Sequence, residues 1–273
     1  MTEPRLTFSD GHTMPQLGFG LWEVPAAETA RVVREGLEAG YQLVDGAAIY
    51  GNEEGMGEGL RSANTAREDV FATSKVWNSE QGYDSTLRAV DASLKRTGLD
   101  YLNLCLIHWP APSAGLYVDT WKALVQAKAD GKVRSIGVSN FMSDHLERII
   151  GETGVTPVLN QIELHPHLQQ EELRTFHAEH TIVTQSWTPL GKGRSFDAEP
   201  IQQAAARTGK SPAQIVIRWH IELGCSVIPR STKAARLAEN HDVFDFELTA
   251  DEHTAIAGLN TDSRTGPDPM AFG

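Results

Sequence analysis

The sequence predicts an α/β protein, a (β/α)8 TIM barrel with an N-terminal β-hairpin and two helices beyond the eightfold count. Three observations carry this. Eight short apolar runs are separated by amphipathic helical patterns. Strands alternating with helices imply right-handed βαβ units and a parallel sheet. The 273 residues suit one closed barrel, for which about 250 is typical. No linker or second domain interrupts the pattern, so residues 1–273 read as a single domain.

The chain opens on alternation: Leu6 and Phe8, then Asp10-Gly11, then Met14 and Leu17. An Asp-Gly pair flanked by alternating apolar residues signals a hairpin, placed at 1–16. The strand candidates follow at 17–21, 41–44, 70–73, 101–107, 133–138, 158–162, 182–186 and 225–228. Between them lie stripes of helical period, among them Leu87, Val90 and Leu94, then Trp121, Leu124, Val125 and Lys128, then Val216, Trp219 and Leu223. Start signals stand at Ser143-Asp144, at Ser211-Pro212, and at Thr249 with Glu252 three residues on. Helical patterns at 199–208 and 249–258 exceed the eightfold count, and 260–273, rich in Gly, Pro and Asp, reads as a tail over the surface.

Composition narrows the function classes. With 24 Lys+Arg against 36 Asp+Glu, the net charge is −12, which argues against nucleic acid as a partner. No apolar run approaches the roughly 18 residues of a transmembrane helix. The start, MTEPRLTFSDGH, lacks the basic and apolar regions of a signal peptide, so a cytoplasmic protein is expected. Cys105 and Cys225 each sit in an apolar segment, and buried free thiols are expected of them rather than a bridge.

Polar residues end the apolar runs. Asp45, Lys75, His108 and Ser139 follow successive strands at intervals of 30, 33 and 31 residues. A barrel therefore gathers them at its C-terminal mouth, where barrel chemistry resides. Leu102, Leu104, Leu106 and His108 share one parity, as do Phe71, Thr73 and Lys75, which puts His108 and Lys75 at the top of the interior. A single strand-end Lys or Asp is ordinarily a loop residue. A Lys, an Asp and a His together in a barrel interior are costly unless they pair. Tyr50 lies five residues beyond Asp45. A phenol titrates near about 10, and an adjacent ammonium such as Lys75 lowers that value. Tyr50 can then give a proton to a carbonyl, with Asp45 holding Lys75 and His108 orienting the oxygen. No reductant is present among these groups, so a cofactor is implied.

At these residues the chain resembles the aldo-keto reductase family, in its bacterial 2,5-diketo-gluconate reductase and prostaglandin-F-synthase-like branch. The likeness rests on GYQLVDGAAIYGNEEGMG (40–57), LIHWP (106–110), RSIGVSNF (134–141), NQIELHP (160–166) and IPRSTKAARLAEN (228–240). It implies NADPH-dependent reduction of aldehydes and ketones by a monomer, with Asp45, Tyr50, Lys75 and His108 as the catalytic tetrad. It implies that Ser139, Asn140 and Gln161 hold the nicotinamide amide and that Trp187 stacks on the ring. The pyrophosphate is expected at Leu190 and Gly191, with Ile228 nearby. The 2′-phosphate is expected at Arg230, Ser231, Thr232 and Arg236, and the adenine at Glu239 and Asn240. Two Arg and two hydroxyls at a helix start make an anion site in their own right. The chain departs from the family at Gly46, usually Thr or Ser, which would loosen the backbone beside Asp45. It departs again at Arg230, commonly Lys, and at Trp187, commonly Tyr.

Other features have plainer readings. Gly55, Gly57 and Gly59 form GxGxG, not a dinucleotide fingerprint, and read as a helix start. His165-Pro166-His167 lacks a third partner at metal spacing, so no metal is expected. Trp22, Trp77 and Trp109 follow three strands and form either packing or, with His108, an apolar wall for a small carbonyl substrate. The short tail and loop imply a shallow, open pocket. Two other functions use the same residues: a Schiff-base aldolase on Lys75, and an NADPH-binding redox-sensing module with little turnover.

Overall fold

Hydrophobic periodicity and short loops wind residues 4–273, which the computed structural model describes, into one barrel. Residues 1–3 of the expected hairpin lie outside the described residues. The hairpin pairs β1 (Arg5–Thr7) with β2 (Thr13–Pro15), Leu6 opposite Met14. Its turn is a three-residue loop closed by the Phe8 amide on the His12 carbonyl at 2.8 Å. Gly11 takes φ +86° there, which a glycine adopts without the steric cost of a Cβ.

The barrel strands are β3 (Phe19–Gly20), β4 (Leu43–Asp45), β5 (Phe71–Val76), β6 (Leu102–Ile107), β7 (Val133–Ser139), β8 (Leu159–Glu163), β9 (Val183–Trp187) and β10 (Ser226–Val227). They lie in sequence order, all parallel. Closure runs between the two ends: the Gly18 amide donates to the Val227 carbonyl at 2.9 Å, and the Val227 amide to Gln16 at 2.9 Å.

The helices are α1 (Ala26–Glu38), α2 (Glu53–Ser62), α3 (Tyr83–Thr97), α4 (Tyr117–Ala129), α5 (Ser143–Thr153), α6 (Glu171–Glu179), α7 (Glu199–Thr208), α8 (Pro212–Glu222), α9 (Ala234–His241) and α10 (Ala250–Ala257). α7 and α10 are the two extra helices, and α7 packs on both α8 and α10. α8 begins where the sequence signals it: Ser211 caps Gln214 and Gln214 bonds back, a device whose removal costs about 1 kcal/mol. Thr249 and Glu252 form the same box at α10. α5 differs, since Met142 is its N-cap and its amide donates to His145 Nδ1 at 3.2 Å.

Strand parity divides the core. Leu104 and Leu106 face inward with Leu43, Phe71 and Leu159, and the hairpin's Phe8 and Met14 plug them from below. Cys105 and Ile107 face outward into the helical shell around Trp121 and Trp219. Both cysteines are free and buried; burial pushes the Cys105 thiol up to about 12 and the Cys225 thiol up to about 11. The glycines at 55, 57 and 59 fall in α2, whose start after the Tyr50 turn the sequence signals, and they let it approach its neighbours. A Cβ on Gly57 would stand 1.8 Å from the Thr97 carbonyl oxygen at the end of α3, and one on Gly59 2.6 Å from Val33 of α1.

Candidate active site

Each expected catalytic residue stands at the C-terminal rim. Asp45 ends β4, Lys75 is the penultimate residue of β5, and His108 directly follows β6. Lys75, 1% exposed, donates from Nζ to Asp45 Oδ2 at 2.6 Å and to the Gly46 carbonyl at 2.9 Å. Its third neighbour is the Tyr50 hydroxyl at 3.5 Å. Tyr50 reaches this point on a short 3₁₀ turn after β4, which Gly51 ends at φ +66°.

The electrostatics follow from burial against charge. Burial opposes the Lys75 ammonium, but Asp45 and Tyr50 more than reverse it, so its pKa is raised. Charged Lys75 is a poor Schiff-base nucleophile, which weighs against the aldolase reading. Tyr50 departs from the expected lowering. Burial raises its pKa above 10.0 with help from Asp45, and the pull of Lys75 does not cancel them. The phenol therefore stays protonated through the neutral range. Burial and Lys75 together push His108 well below 6.5, so its imidazole is neutral, and its Nδ1 has no protein partner.

Gly46 does not loosen this corner. Its amide donates to the Thr73 carbonyl at 3.0 Å and its carbonyl accepts from Lys75. Met56 fills the side-chain space, with Sδ 2.9 Å from where a Cβ would stand.

A polar relay lines the opposite wall. Gln161 Nε2 donates to Asp45 Oδ1 at 2.8 Å and to Gln185 Oε1 at 2.7 Å, and Gln185 Nε2 donates to Ser226 at 3.0 Å. Reversing the Gln161 amide would set its oxygen against the Asp45 carboxylate, so its donors face inward. Ser139 donates to the Gln161 carbonyl at 2.8 Å. Asn140, at φ +63°, donates from Nδ2 to the His108 carbonyl at 3.0 Å and accepts the Trp187 indole N–H at 2.8 Å. Ser139, Asn140, Gln161 and Trp187 thus form one group with amide donors and acceptors beside an aromatic face, chemistry that fits a nicotinamide carboxamide.

The remaining expected cofactor residues lie along the β9 and β10 ends. Gly191 is buried at φ +53° and Leu190 half-buried. Ile228 is 5% exposed. Ser231 is buried, and its hydroxyl accepts from the Lys233 amide at 3.1 Å. Thr232 is half-buried, Arg236 and Glu239 are exposed, and Asn240 is buried, all at or within the start and body of α9. Arg230 is open to solvent and paired to Glu23 at 2.7 Å. This set of guanidinium and hydroxyl groups fits a phosphate.

The three indoles differ. Trp22 is 53% exposed and tilts on Tyr50 at 5.0 Å between ring centroids. Trp77 meets His108 edge-on at 5.1 Å. Trp109 is buried, between Trp187 at 6.4 Å and Phe272 at 4.6 Å. Phe272 belongs to the stretch read as a surface tail. That stretch runs over the surface as expected and ends across the β5 and β6 ends, setting Phe272 against Trp109 and Trp77. Glu163 anchors it, accepting from the Thr265 amide and hydroxyl at 2.6 Å each and from the Gly266 amide at 3.2 Å. The sequence signal was an apolar pair, Met270 and Phe272, inside a polar terminus. Gln185 was equally legible, since it shares the inward parity of Trp187 on β9.

His165 bonds Glu163 at 3.1 Å and His167 the Leu259 carbonyl at 2.9 Å, as a loop reading requires. Among the described residues no group of three His, Cys, Asp or Glu could hold a metal, and no helix is long and apolar enough to cross a membrane.

Comparison with known proteins bears on the same site. The family model described as "Aldo/keto reductase family" matches residues 16–261. An aldo-keto reductase of Mycolicibacterium smegmatis is 51% identical over 98% of both chains. A protein named methylglyoxal reductase DkgA, from Escherichia coli, is 47% identical over 98% of both. The crystal structure of a Gox0644 mutant in complex with NADPH superposes with a TM-score of 0.96 at 52% identity, covering 100% of both chains. The chain belongs to the aldo/keto reductase family and is a carbonyl-reducing oxidoreductase.

Proposed function

We propose that this reductase converts small aldehydes, keto acids, keto sugars and dicarbonyls such as methylglyoxal to alcohols with NADPH, Tyr50 giving the proton. The observation that carries the reading is the Tyr50 hydroxyl 3.5 Å from an ammonium locked to Asp45 at 2.6 Å. NADPH supplies a hydride to the carbonyl carbon. The chain's own residues manage the oxygen. Neutral His108 directs an N–H toward it, and Tyr50 protonates it as negative charge develops. The phenolate left behind sits beside Lys75, whose charge Asp45 and the Gly46 carbonyl hold in place. Solvent at the mouth then reprotonates Tyr50.

Cofactor contacts are divided between two ends. Ser139, Asn140, Gln161 and Trp187 hold the nicotinamide, and Leu190, Gly191 and Ile228 lie along the pyrophosphate. Arg230, Ser231, Thr232 and Arg236 take the 2′-phosphate, with Glu239 and Asn240 at the adenine. Trp22, Trp77 and Trp109, with His108, form the substrate wall. The relative named methylglyoxal reductase supports a small dicarbonyl, as does Phe272 set against Trp77 and Trp109. The protein acts as a cytoplasmic monomer that binds neither nucleic acid nor membrane, in keeping with its charge of −12.

The test follows NADPH consumption with methylglyoxal in the native chain and in Tyr50→Phe. Turnover should fall about 10²- to 10⁴-fold in the variant while cofactor binding persists. Equal rates would remove Tyr50 from the chemistry. Tight NADPH binding without turnover in either protein would favour the redox-sensing module.

A further inference from the structure

A carboxylate outside the barrel is tied to both members of the Tyr50–Lys75 pair. Glu53 is 2% exposed and lies three residues after Tyr50, at the first position of α2. Its Oε1 accepts the Ser74 hydroxyl at 2.6 Å, and Ser74 immediately precedes Lys75 on β5. Its Oε2 accepts Arg96 Nε of α3 at 2.6 Å. The neighbouring Asn52, 1% exposed, donates from Nδ2 to the carbonyls of Leu21 at 3.0 Å and Val24 at 3.1 Å.

We infer that Glu53 is a positioning residue for proton transfer, fixing the loop that carries Tyr50 to the strand that carries Lys75 through its bond to Ser74. This rests on the assignment of Tyr50 as proton donor.

A plainer account makes Glu53 a helix-start acid paired across helices. That account covers the Oε2 bond to Arg96 but not the Oε1 bond to Ser74. The free oxygen of a helix-start acid would turn to the amides of its own first turn or to solvent. Glu53 does not send Oε1 there. It goes to the strand behind Lys75, and the whole carboxylate is withdrawn from water, a cost that an apolar residue of like volume would avoid. The link also closes a short circuit. From Tyr50 the path runs through three peptide units to Glu53, across one hydrogen bond to Ser74, and one residue on to Lys75. That bond adds to the Asn52 contacts with Leu21 and Val24 and to the packing of Trp22 and His108 on Tyr50, and it reaches the residue next to Lys75. Displacing a reacting group by about 1 Å costs up to about 10²-fold in rate.

The groups facing Tyr50 are Lys75 from β5, Asp45 from β4 and His108 after β6, with Trp22 on its outer side. Of these, only Lys75 lowers the phenol pKa. Retreat of Tyr50 from Lys75 with the phenol still buried therefore raises it, and the alkaline limb of kcat/KM for carbonyl reduction moves to higher pH.

The experiment compares the full chain with Ser74→Ala, Glu53→Ala and Glu53→Gln, using NADPH and methylglyoxal across pH 6–10. Arg96 is 36% exposed at its side chain, so in Glu53→Ala it can turn to water. Ser74→Ala and Glu53→Ala should each lose about 10- to 100-fold in kcat/KM, with the alkaline limb displaced upward. KM for NADPH should stay within about twofold. Glu53→Gln keeps an acceptor for Ser74 and should restore most of the rate lost in Glu53→Ala. An unmoved limb in Ser74→Ala, or variants that lose thermal stability and nothing else, would overturn the inference. Tyr50→Phe separates the two levels. If it retains turnover, the proton-donor assignment falls; if it collapses while Ser74→Ala matches the native protein, only the role of Glu53 falls.

Discussion

Trp187 gives its indole N–H to the side-chain oxygen of Asn140 at 2.8 Å, across the gap between the β9 and β7 ends. The bond explains why a tryptophan suits a position where tyrosine is commoner. Asn140 holds φ +63°, a conformation that needs its side chain fixed, and its Nδ2 in turn holds the His108 carbonyl. In the proposed nicotinamide site Trp187 thus acts with its edge as well as its face. Trp187→Phe keeps an aromatic face but leaves the Asn140 oxygen unpaired, which costs about 1–3 kcal/mol. NADPH affinity, read by equilibrium titration, should weaken about tenfold. Unchanged affinity would mean that Asn140 needs no support from Trp187.

How much of this site the sequence disclosed follows from the barrel itself. Strand-end residues one βα unit apart must meet at one mouth, so Asp45, Lys75 and His108 were legible from spacing. Parity likewise placed Lys75 and His108 inward. Signs of competing effects were not legible. Lys75 pulls the Tyr50 pKa down as expected, but the burial that outweighs it depends on everything packed around the phenol. Contacts that bring distant segments together were equally hidden. Nothing local in Thr265 or Gly266 says that Glu163 will bind them, so a tail over the surface was legible but its contact of Phe272 with Trp109 was not. Glycines 55, 57 and 59 marked the start of α2, but their close approach to α1 and α3 was hidden for the same reason.

Three buried histidines should make the fold sensitive to mild acid. Burial lowers His177 and His220 to about 3 and His108 well below 6.5. Each is neutral when folded, whereas the unfolded chain binds a proton near about 6.5. Above that value they contribute no pH dependence. As pH falls below it the unfolded state gains protons and stability is lost, by about 2 kcal/mol each for His177 and His220 at pH 5. The carboxylates held low, such as Glu163, lose their contribution only below about 4.3. The window between about 4.5 and 6.5 therefore isolates the histidines. Tm should fall steadily through it, with proton uptake on unfolding; a flat Tm would show that these imidazoles are charged in the folded protein.

Phe272 should set the size of accepted carbonyls. Its ring packs on Trp109 at 4.6 Å and Trp77 at 6.3 Å, and the strand-end Glu163 fixes the segment behind it. Phe272→Ala removes one face of the pocket without touching Tyr50, Lys75 or Asp45. Methylglyoxal, too small to need that face, should keep its kcat/KM within about threefold. A bulky aryl aldehyde should gain about tenfold relative to it, as removal of a pocket-filling group allows. An equal effect on both substrates would place Phe272 outside the substrate wall.

Glu23 should weaken the hold on the 2′-phosphate. Its carboxylate pairs with Arg230 at 2.7 Å, and both side chains are well exposed. The pair itself contributes about 0–1 kcal/mol, but Glu23 sits where the phosphate's charge would be repelled and it competes for the same guanidinium. Glu23 also holds φ +56°, uncommon for a side chain of its type. Glu23→Gln removes the competing charge and leaves the loop's length and polarity intact. NADP⁺ should bind about three- to fivefold tighter at low salt, while NAD⁺, lacking the phosphate, should change little. The gain should shrink as ionic strength rises, because exposed charges are screened beyond about 8 Å at physiological salt. Arg236→Ala tests the same end from the other side. A charge-assisted bond of about 1.5–3 kcal/mol lost there weakens NADP⁺ about 10- to 100-fold and again spares NAD⁺. If Glu23→Gln tightens both cofactors equally, the carboxylate acts on the shared pyrophosphate rather than on the group that distinguishes them.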